Sequence, residues 1–285
     1  MIMSKDVMLS FGKGLDSYLT KEQIKNSAPL IFAEQPTNPD VSDKYLFVNT
    51  ETIIDDLEKL GWLPVQAAQR KGRKSEGTIF SKHMVAFQNP DIMITSKDGD
   101  DAYPRILLTN SHDGMQAFKF SVGIFRLVCS NGLVIADEQF SDFKIKHKGY
   151  SFQELRNVVR QAVEDLPNRV QVMNDMKNRS LTQTEKEQLA IDAMLIRAGI
   201  KPNSEEAKAF EYDADTIEDI LEPKREADKG NDLWRVFNVI QEKITQGEFH
   251  AALKGAKVRK VRKIKSFEKD MKVNKDLFRL ATSLI

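Results

Sequence analysis

One cysteine, Cys129, stands among 285 residues, so no internal disulfide can form and a cysteine-rich zinc site is excluded. A lone thiol suits a reducing compartment. Long apolar runs are also missing. Nothing approaches the roughly 18 residues that cross a bilayer, and the opening MIMSKDVMLSFGKG lacks a continuous apolar stretch before a small-residue cleavage site. The expectation is a soluble protein of the cytoplasm with no membrane contact. Overall charge of one sign is lacking too. The chain has 43 Lys and Arg against 42 Asp and Glu, a net +1 that predicts no general affinity for polyanions. No HExxH, CxxC or HxH spacing announces a metal site, and FGKGLDS has neither the GK[ST] order of a Walker loop nor GxGxxG after an apolar strand. No cofactor is implied, no metal site is expected, and no catalytic residue is assigned.

What the chain does have is the composition of a folded protein, 41% hydrophobic and 30% charged, together with a segregated charge pattern. Residues 254–265 hold seven bases, Lys254, Lys257, Arg259, Lys260, Arg262, Lys263 and Lys265, and no acid. The rest of the chain therefore carries −6, the whole-chain +1 less those seven. Upstream lies the counterweight: between 205 and 222, Glu205, Glu206, Glu211, Asp213, Asp215, Glu218, Asp219 and Glu222 face the single base Lys208.

The element pattern is α+β: an antiparallel-rich sheet in residues 1–150, then a helical region over 151–285. In the first region the pattern predicts a helix at 20–25 with Thr20 and Gln23 at capping-box spacing, a strand at 44–48, a helix at 50–60 stopped by Gly61, and a strand at 62–69. Further strands are expected over TIFSKHMVAF, DIMITS and RILLT, with a turn at 97–101. NSHDG at 110–114 reads as a hairpin turn, because Asn, Asp and Gly tolerate the backbone angles of a reversal. Beyond it, Phe118, Phe120, Val122 and Ile124 alternate with smaller or polar residues, the period of a half-buried strand. A helical turn at 125–130 stopped by Asn131 and Gly132 is expected next, then strands in LVIADE and FKIKHKG. From Ser151 the period becomes helical, with a capping box to Glu154 and an interruption at Pro167. More helices are predicted at 182–198 (capping box Thr182 and Glu185, stop at Gly199), 204–212, 216–221, 231–246 and 274–285.

In the basic strip, Val258, Val261 and Ile264 recur at three-residue spacing among the cations. Either the bases neutralise successive phosphates of a nucleic acid without reading sequence, or the strip is a solvated connector whose charges pair with the acidic stretch at 205–222. Lys144, Lys146 and Lys148 would share one face of a strand and add a second cationic stripe. With Arg70, Lys71, Arg73 and Lys74 in a polar link, and the aromatics Phe80, Tyr103 and Phe118, they would line a groove for a single strand. Ordinary burial preference instead places the phenylalanines in the core. His83, His112 and His147 with Asp113 and Cys129 lack metal-site spacing; His147 reads as an interior histidine and Cys129 as a small apolar core residue. The acid pairs Asp55–Asp56 and Asp100–Asp101 read as solvated.

KYLFVNT, LEKLGWLPVQAAQ, SKHMVAF, LLTNSHDG, GIFRLVCSNGLV, HKG at 147–149 and NDLWRVFNVIQEKITQG together resemble the phage/plasmid-like family known as domain of unknown function 932. The resemblance spans nearly the whole chain. It implies an accessory protein of phages, prophages and conjugative plasmids, with no established activity to carry over. His112, Asp113, Gly114, Cys129, Asn131, Gly132, His147 and the run 231–234 match the family pattern, in fold or in a site. The order of hairpin, strands and long helix across 104–178 is similar to the core of phage single-strand annealing proteins of the Redβ and RecT kind, a likeness of fold alone. The leading expectation is a non-enzymatic protein binding single-stranded DNA in replication, annealing or recombination. A protein-interaction module acting on a host protein, or a metal-dependent nuclease using NSHDG, are the alternatives, and self-association is a further candidate.

Overall fold

The computed structural model describes residues 7–11, 18–38, 40–41, 47–69, 82–113, 118–126, 132–133, 143–145, 151–251 and 259–285. Its sheet is built on four central strands, β2 (Leu63–Gln69), β3 (His83–Gln88), β5 (Ala102–Asn110) and β6 (Phe118–Arg126), adjacent in that order and antiparallel throughout. β4 (Ile92–Ser96) joins the start of β5 through Ile94 and Ala102 and carries β1 (Val7–Phe11) on its other edge. The short strands β7 (Gly132–Leu133) and β8 (Phe143–Ile145) both pair with the free edge of β6.

The period of two along these strands sends side chains to opposite faces. Val85, Phe87, Ile106, Leu108, Phe120 and Val122 form one face. They are covered by Ile24 of α1 (Lys21–Ser27), by Ile53 and Leu57 of α2 (Thr50–Lys59), and by Leu155 and Val159 of α3 (Phe152–Glu164). Met84, Ala86, Leu107 and Phe125 form a smaller cluster of their own, with Met271 packed against it. The largest core joins Ile94, Ala102 and Ile124 of the sheet to α4 (Leu166–Asn178), α5 (Gln183–Ala198), α7 (Ala214–Leu221), α8 (Leu233–Gln246) and α9 (Phe267–Thr282). Between α5 and α7 lies the single turn α6 (Glu205–Lys208). Trp234, Phe237 and Phe278 are almost wholly buried in that core, each contributing roughly 1.5–3 kcal/mol by leaving water.

The α+β class holds, and the local signals land where they were read. Thr20 with Gln23 and Thr182 with Glu185 form complete capping boxes, Ser151 caps α3, Gly199 closes α5 in the left-handed region, and Pro167 opens α4 after a break at Asp165. Elsewhere the structure departs from the pattern. β6 is buried on both faces from Phe120 to Arg126, because α3 and the helical core share the face of Phe120, Val122 and Ile124, and the Phe125 cluster with Met271 lies on the other. Phe125 and Arg126 continue the strand instead of starting a helical turn, and Gly132 lies in β7, paired with Phe125. Phe47 and Val48 are not in a strand. α6 stops at Lys208, where Phe210 packs against the large core, and α9 starts at Phe267, capped by Ser266. Residues 44–46, 70–81, 127–131, 134–142 and 146–150 lie outside the described residues, and with them the readings placed there. Among the described residues no helix is long and apolar enough to cross a membrane.

Candidate nucleic-acid interface

The end of the basic strip is held in place by its backbone and its apolar residues. β9 (His250–Ala251) pairs antiparallel with β10 (Arg259–Lys260), Lys260 opposite His250. Beyond it, the Val261 amide donates to the Phe249 carbonyl at 2.9 Å and the Ile264 amide to the Thr245 carbonyl at 2.9 Å. Ile264 is buried in the large core and Val261 packs against it. Gly247 makes this path possible: it ends α8 with φ 70°, and a Cβ there would overlap the backbone of Val261 and Arg262. The Arg197 guanidinium donates to the carbonyls of Ile244 and Arg262, tying α5 to the same segment. Hydrogen bonds and the burial of Ile264 thus fix the backbone of this segment.

The cations make no direct pair with the described residues. Lys260, Arg262, Lys263 and Lys265 are exposed, and among the described residues none forms an ion pair or a side-chain hydrogen bond. Two of the eight acids in the 205–222 stretch are engaged elsewhere, Glu205 with Lys208 at 2.6 Å and Asp219 with Lys243 at 3.2 Å and His250 at 3.0 Å. One carboxyl does sit close: Asp270, pushed up to about 6 by burial, against the opposing pull of Lys263 and Arg197. Beside the segment opens a cleft of about 480 Å³, with Met194, Phe210, Phe249 and Val261 as walls and Arg197, Lys260 and Arg262 as cationic members.

The other expected bases are only partly placed. Lys144 lies in β8 opposite Lys119 of β6. Lys146, Lys148, Lys254 and Lys257 lie outside the described residues, and of Arg259 the backbone alone is described. Arg70, Lys71, Arg73, Lys74 and Phe80 lie outside as well. Tyr103 belongs to the core, at 3% exposure, and does not line a groove.

NSHDG behaves as more than a turn. β5 and β6 do form the hairpin, but Asn110, Ser111, His112 and Asp113 are all buried; Gly114 lies outside the described residues. At the first turn of α2, the Thr50 hydroxyl lies 2.9 Å from His83 Nε2 and 3.3 Å from His112 Nε2 and accepts from Asn110 Nδ2 at 3.0 Å. One hydroxyl proton serves one acceptor, so the other imidazole must carry its proton on Nε2. The two rings stand 4.8 Å apart, and burial with the neighbouring His112 holds His83 well below the usual histidine range. Ser111 donates to Asp113 at 2.6 Å. This buried polar node pins α2 to the sheet. Among the described residues no group of three or more His, Cys, Asp or Glu is placed to hold a metal ion. Cys129, Asn131 and His147 lie outside the described residues.

Of the acids read as solvated, Asp100 and Asp56 prove to be buried, while the Asp55 side chain stays 41% exposed. Asp100, 4% exposed, accepts from Arg126 Nε at 2.7 Å and from Trp234 Nε1 at 2.8 Å, while Arg126 also donates to Asp228 at 3.0 Å. Lys177 and Arg235 converge on Asp98 at 2.8 Å and 2.5 Å. Asp56 is buried and pairs with Lys59 at 2.8 Å. Sequence reading missed Thr50, His83, Arg126 and Asp228 as partners; the one signal was that Thr50, His83 and Arg126 fall within KYLFVNT, SKHMVAF and GIFRLVCSNGLV, segments that carry the family likeness.

Residues 40–278 match the family described as Domain of unknown function (DUF932). Two proteins of Escherichia coli (strain K12), the UPF0380 proteins YfjQ and YafZ, are each 30% identical over 274 residues, spanning 95% of this chain and 93% of their own length. No solved structure matches the chain.

Proposed function

The chain belongs to the DUF932 family, a domain of unknown function, and from that premise and the geometry of residues 259–265 we propose that it is a non-enzymatic nucleic-acid-binding protein that engages single-stranded DNA. The observation that carries this is a fixed, exposed cationic segment, Lys260, Arg262, Lys263 and Lys265, with no ion pair to any described residue and with only Asp270 acting on Lys263. A free row of cations gains from phosphate by releasing condensed counterions. Pre-ordering of the segment removes part of the entropic cost of binding.

The test is titration of labelled single- and double-stranded oligonucleotides at rising salt, with the four bases changed to Glu. The wild type should bind with a log–log salt slope near −0.7 per phosphate contacted. The variant should lose most of that slope. Absence of binding at about 50 mM salt, where such contacts are strongest, would refute the reading.

A second observation favours a protein partner. A cleft of about 540 Å³ on the acidic side is lined by Tyr212, Ile217 and Leu221 with Glu187, Glu218 and Glu222, and Tyr212 is 47% exposed. A partner there would present a basic, apolar segment. Cross-linking from a p-benzoylphenylalanine placed at Tyr212, compared between cells with and without competing nucleic acid, checks it: no protein adduct in either condition removes this reading.

A further inference from the structure

Resting on the nucleic-acid reading, we infer that the cleft between the end of α5 and residues 260–262 takes one unstacked nucleobase of a single strand, its flanking phosphates held by Lys260 and Arg262. The chemistry of the walls selects this occupant. Phe210 and Val261, half-buried, supply the accessible aromatic and apolar surface, Phe249 and Met194 back it at 3% and 6% exposure, and the planar Arg197 guanidinium lies 6.0 Å from the centre of the Phe249 ring. Among the described residues no acid lines the cleft. An apolar slot bounded by cations on one side suits a molecule with a flat, weakly polar body and anionic ends. A purely anionic polymer would use the bases and leave the slot empty. A duplex cannot fill it without opening, because its bases are stacked and paired.

Size agrees, since about 480 Å³ falls within the roughly 300–1,000 Å³ of small-ligand sites. The acidic cleft makes the contrast: its three glutamates would repel the same ligand.

Anisotropy titrations would compare oligothymidylate with an abasic oligodeoxyribonucleotide of equal length. The proteins are the wild type, Phe210→Ala and Ala198→Trp. Ala198 is an exposed residue at the cleft mouth, so the indole blocks entry without entering the core and carries the test even if Phe210→Ala fails to fold. The wild type should prefer thymidylate by about 5- to 150-fold, the worth of one stacked base. Both variants should bring thymidylate down to the abasic level and leave abasic affinity unchanged. Equal binding of the two ligands by wild type overturns this inference alone, as does an unchanged preference in Ala198→Trp. Binding of neither ligand overturns the nucleic-acid reading and this one with it.

Discussion

Two side chains carry opposite pH signatures, both caused by burial. His83 is neutral in the fold, its pKa lowered by desolvation and by the neighbouring His112. The unfolded chain takes up a proton there near the ordinary histidine value of about 6.5, so this residue makes stability fall as pH drops through that range. Asp270 runs the other way. With a folded value of about 6 against 3.8, the fold binds the extra proton between those limits, and stability rises as pH falls from about 6 to about 4. At neutral pH its buried charge costs up to about 3 kcal/mol, roughly two pKa units at 1.36 kcal/mol each. The windows overlap, so the wild-type profile is a composite that only single variants resolve. Asp270→Asn should gain stability at about pH 7.5 and lose that advantage by about pH 4, measured as urea midpoints. It should also tighten DNA binding near neutrality, by removing the carboxylate that faces Lys263. His83→Gln should flatten the loss near pH 6. A less stable Asp270→Asn at neutral pH would show that its carboxylate is stabilised there by the two cations and not penalised by burial.

At the level of elements, the segment 259–265 depends on the end of α8. Gly247→Ala imposes a Cβ both on a left-handed backbone and on the space occupied by Val261 and Arg262. The segment must lift, at a cost of about 1–3 kcal/mol. Hydrogen exchange at the Val261 and Ile264 amides should accelerate at least tenfold while the middle of α5 stays protected; unchanged protection would mean the strip does not lean on Gly247. Nothing in the sequence around Gly247 hints at this crossing. What was legible there was the helix stop itself, and the same holds for Thr20, Thr182, Ser151, Pro167 and Gly199, whose partners lie within a few residues. What stayed hidden is set by distant partners. Arg126 meets Asp100 across 26 residues and Asp228 across 102, so a pair of acids in a turn gave no sign of being buried. β6 reads as half-buried because alternation reports one face, and the second face is covered by the Phe125 cluster, against which Met271 packs from far along the chain. Of the candidate site, the charge of the strip was legible and its anchoring and cleft were not, since Met194, Phe210 and Phe249 are far apart in sequence.

The whole molecule couples its sheet to its helices by shared cores and by the Asp100–Arg126–Asp228 contacts. α3 covers one face of the sheet, and Ile94, Ala102 and Ile124 enter the helical core. Arg126→Met leaves Asp100 and Asp228 buried with one cation fewer, which should cost about 3–5 kcal/mol, the usual effect of breaking a buried pair from one side. The chain's two tryptophans sit on opposite sides of this junction. Trp62 belongs to the core of the sheet and α1–α3, and Trp234 to the helical core. Single-tryptophan proteins, Trp62→Phe and Trp234→Phe, therefore report the two cores separately. If packing makes the chain one cooperative unit, each fluorescence transition should coincide with the loss of circular dichroism in the same protein. Two distinct midpoints within one variant would mean that residues before and after about 150 unfold independently. In that event Arg126→Met, which takes a cation from Asp100 before the boundary and from Asp228 after it, should shift the two midpoints by different amounts, whereas in a single unit it shifts every probe together.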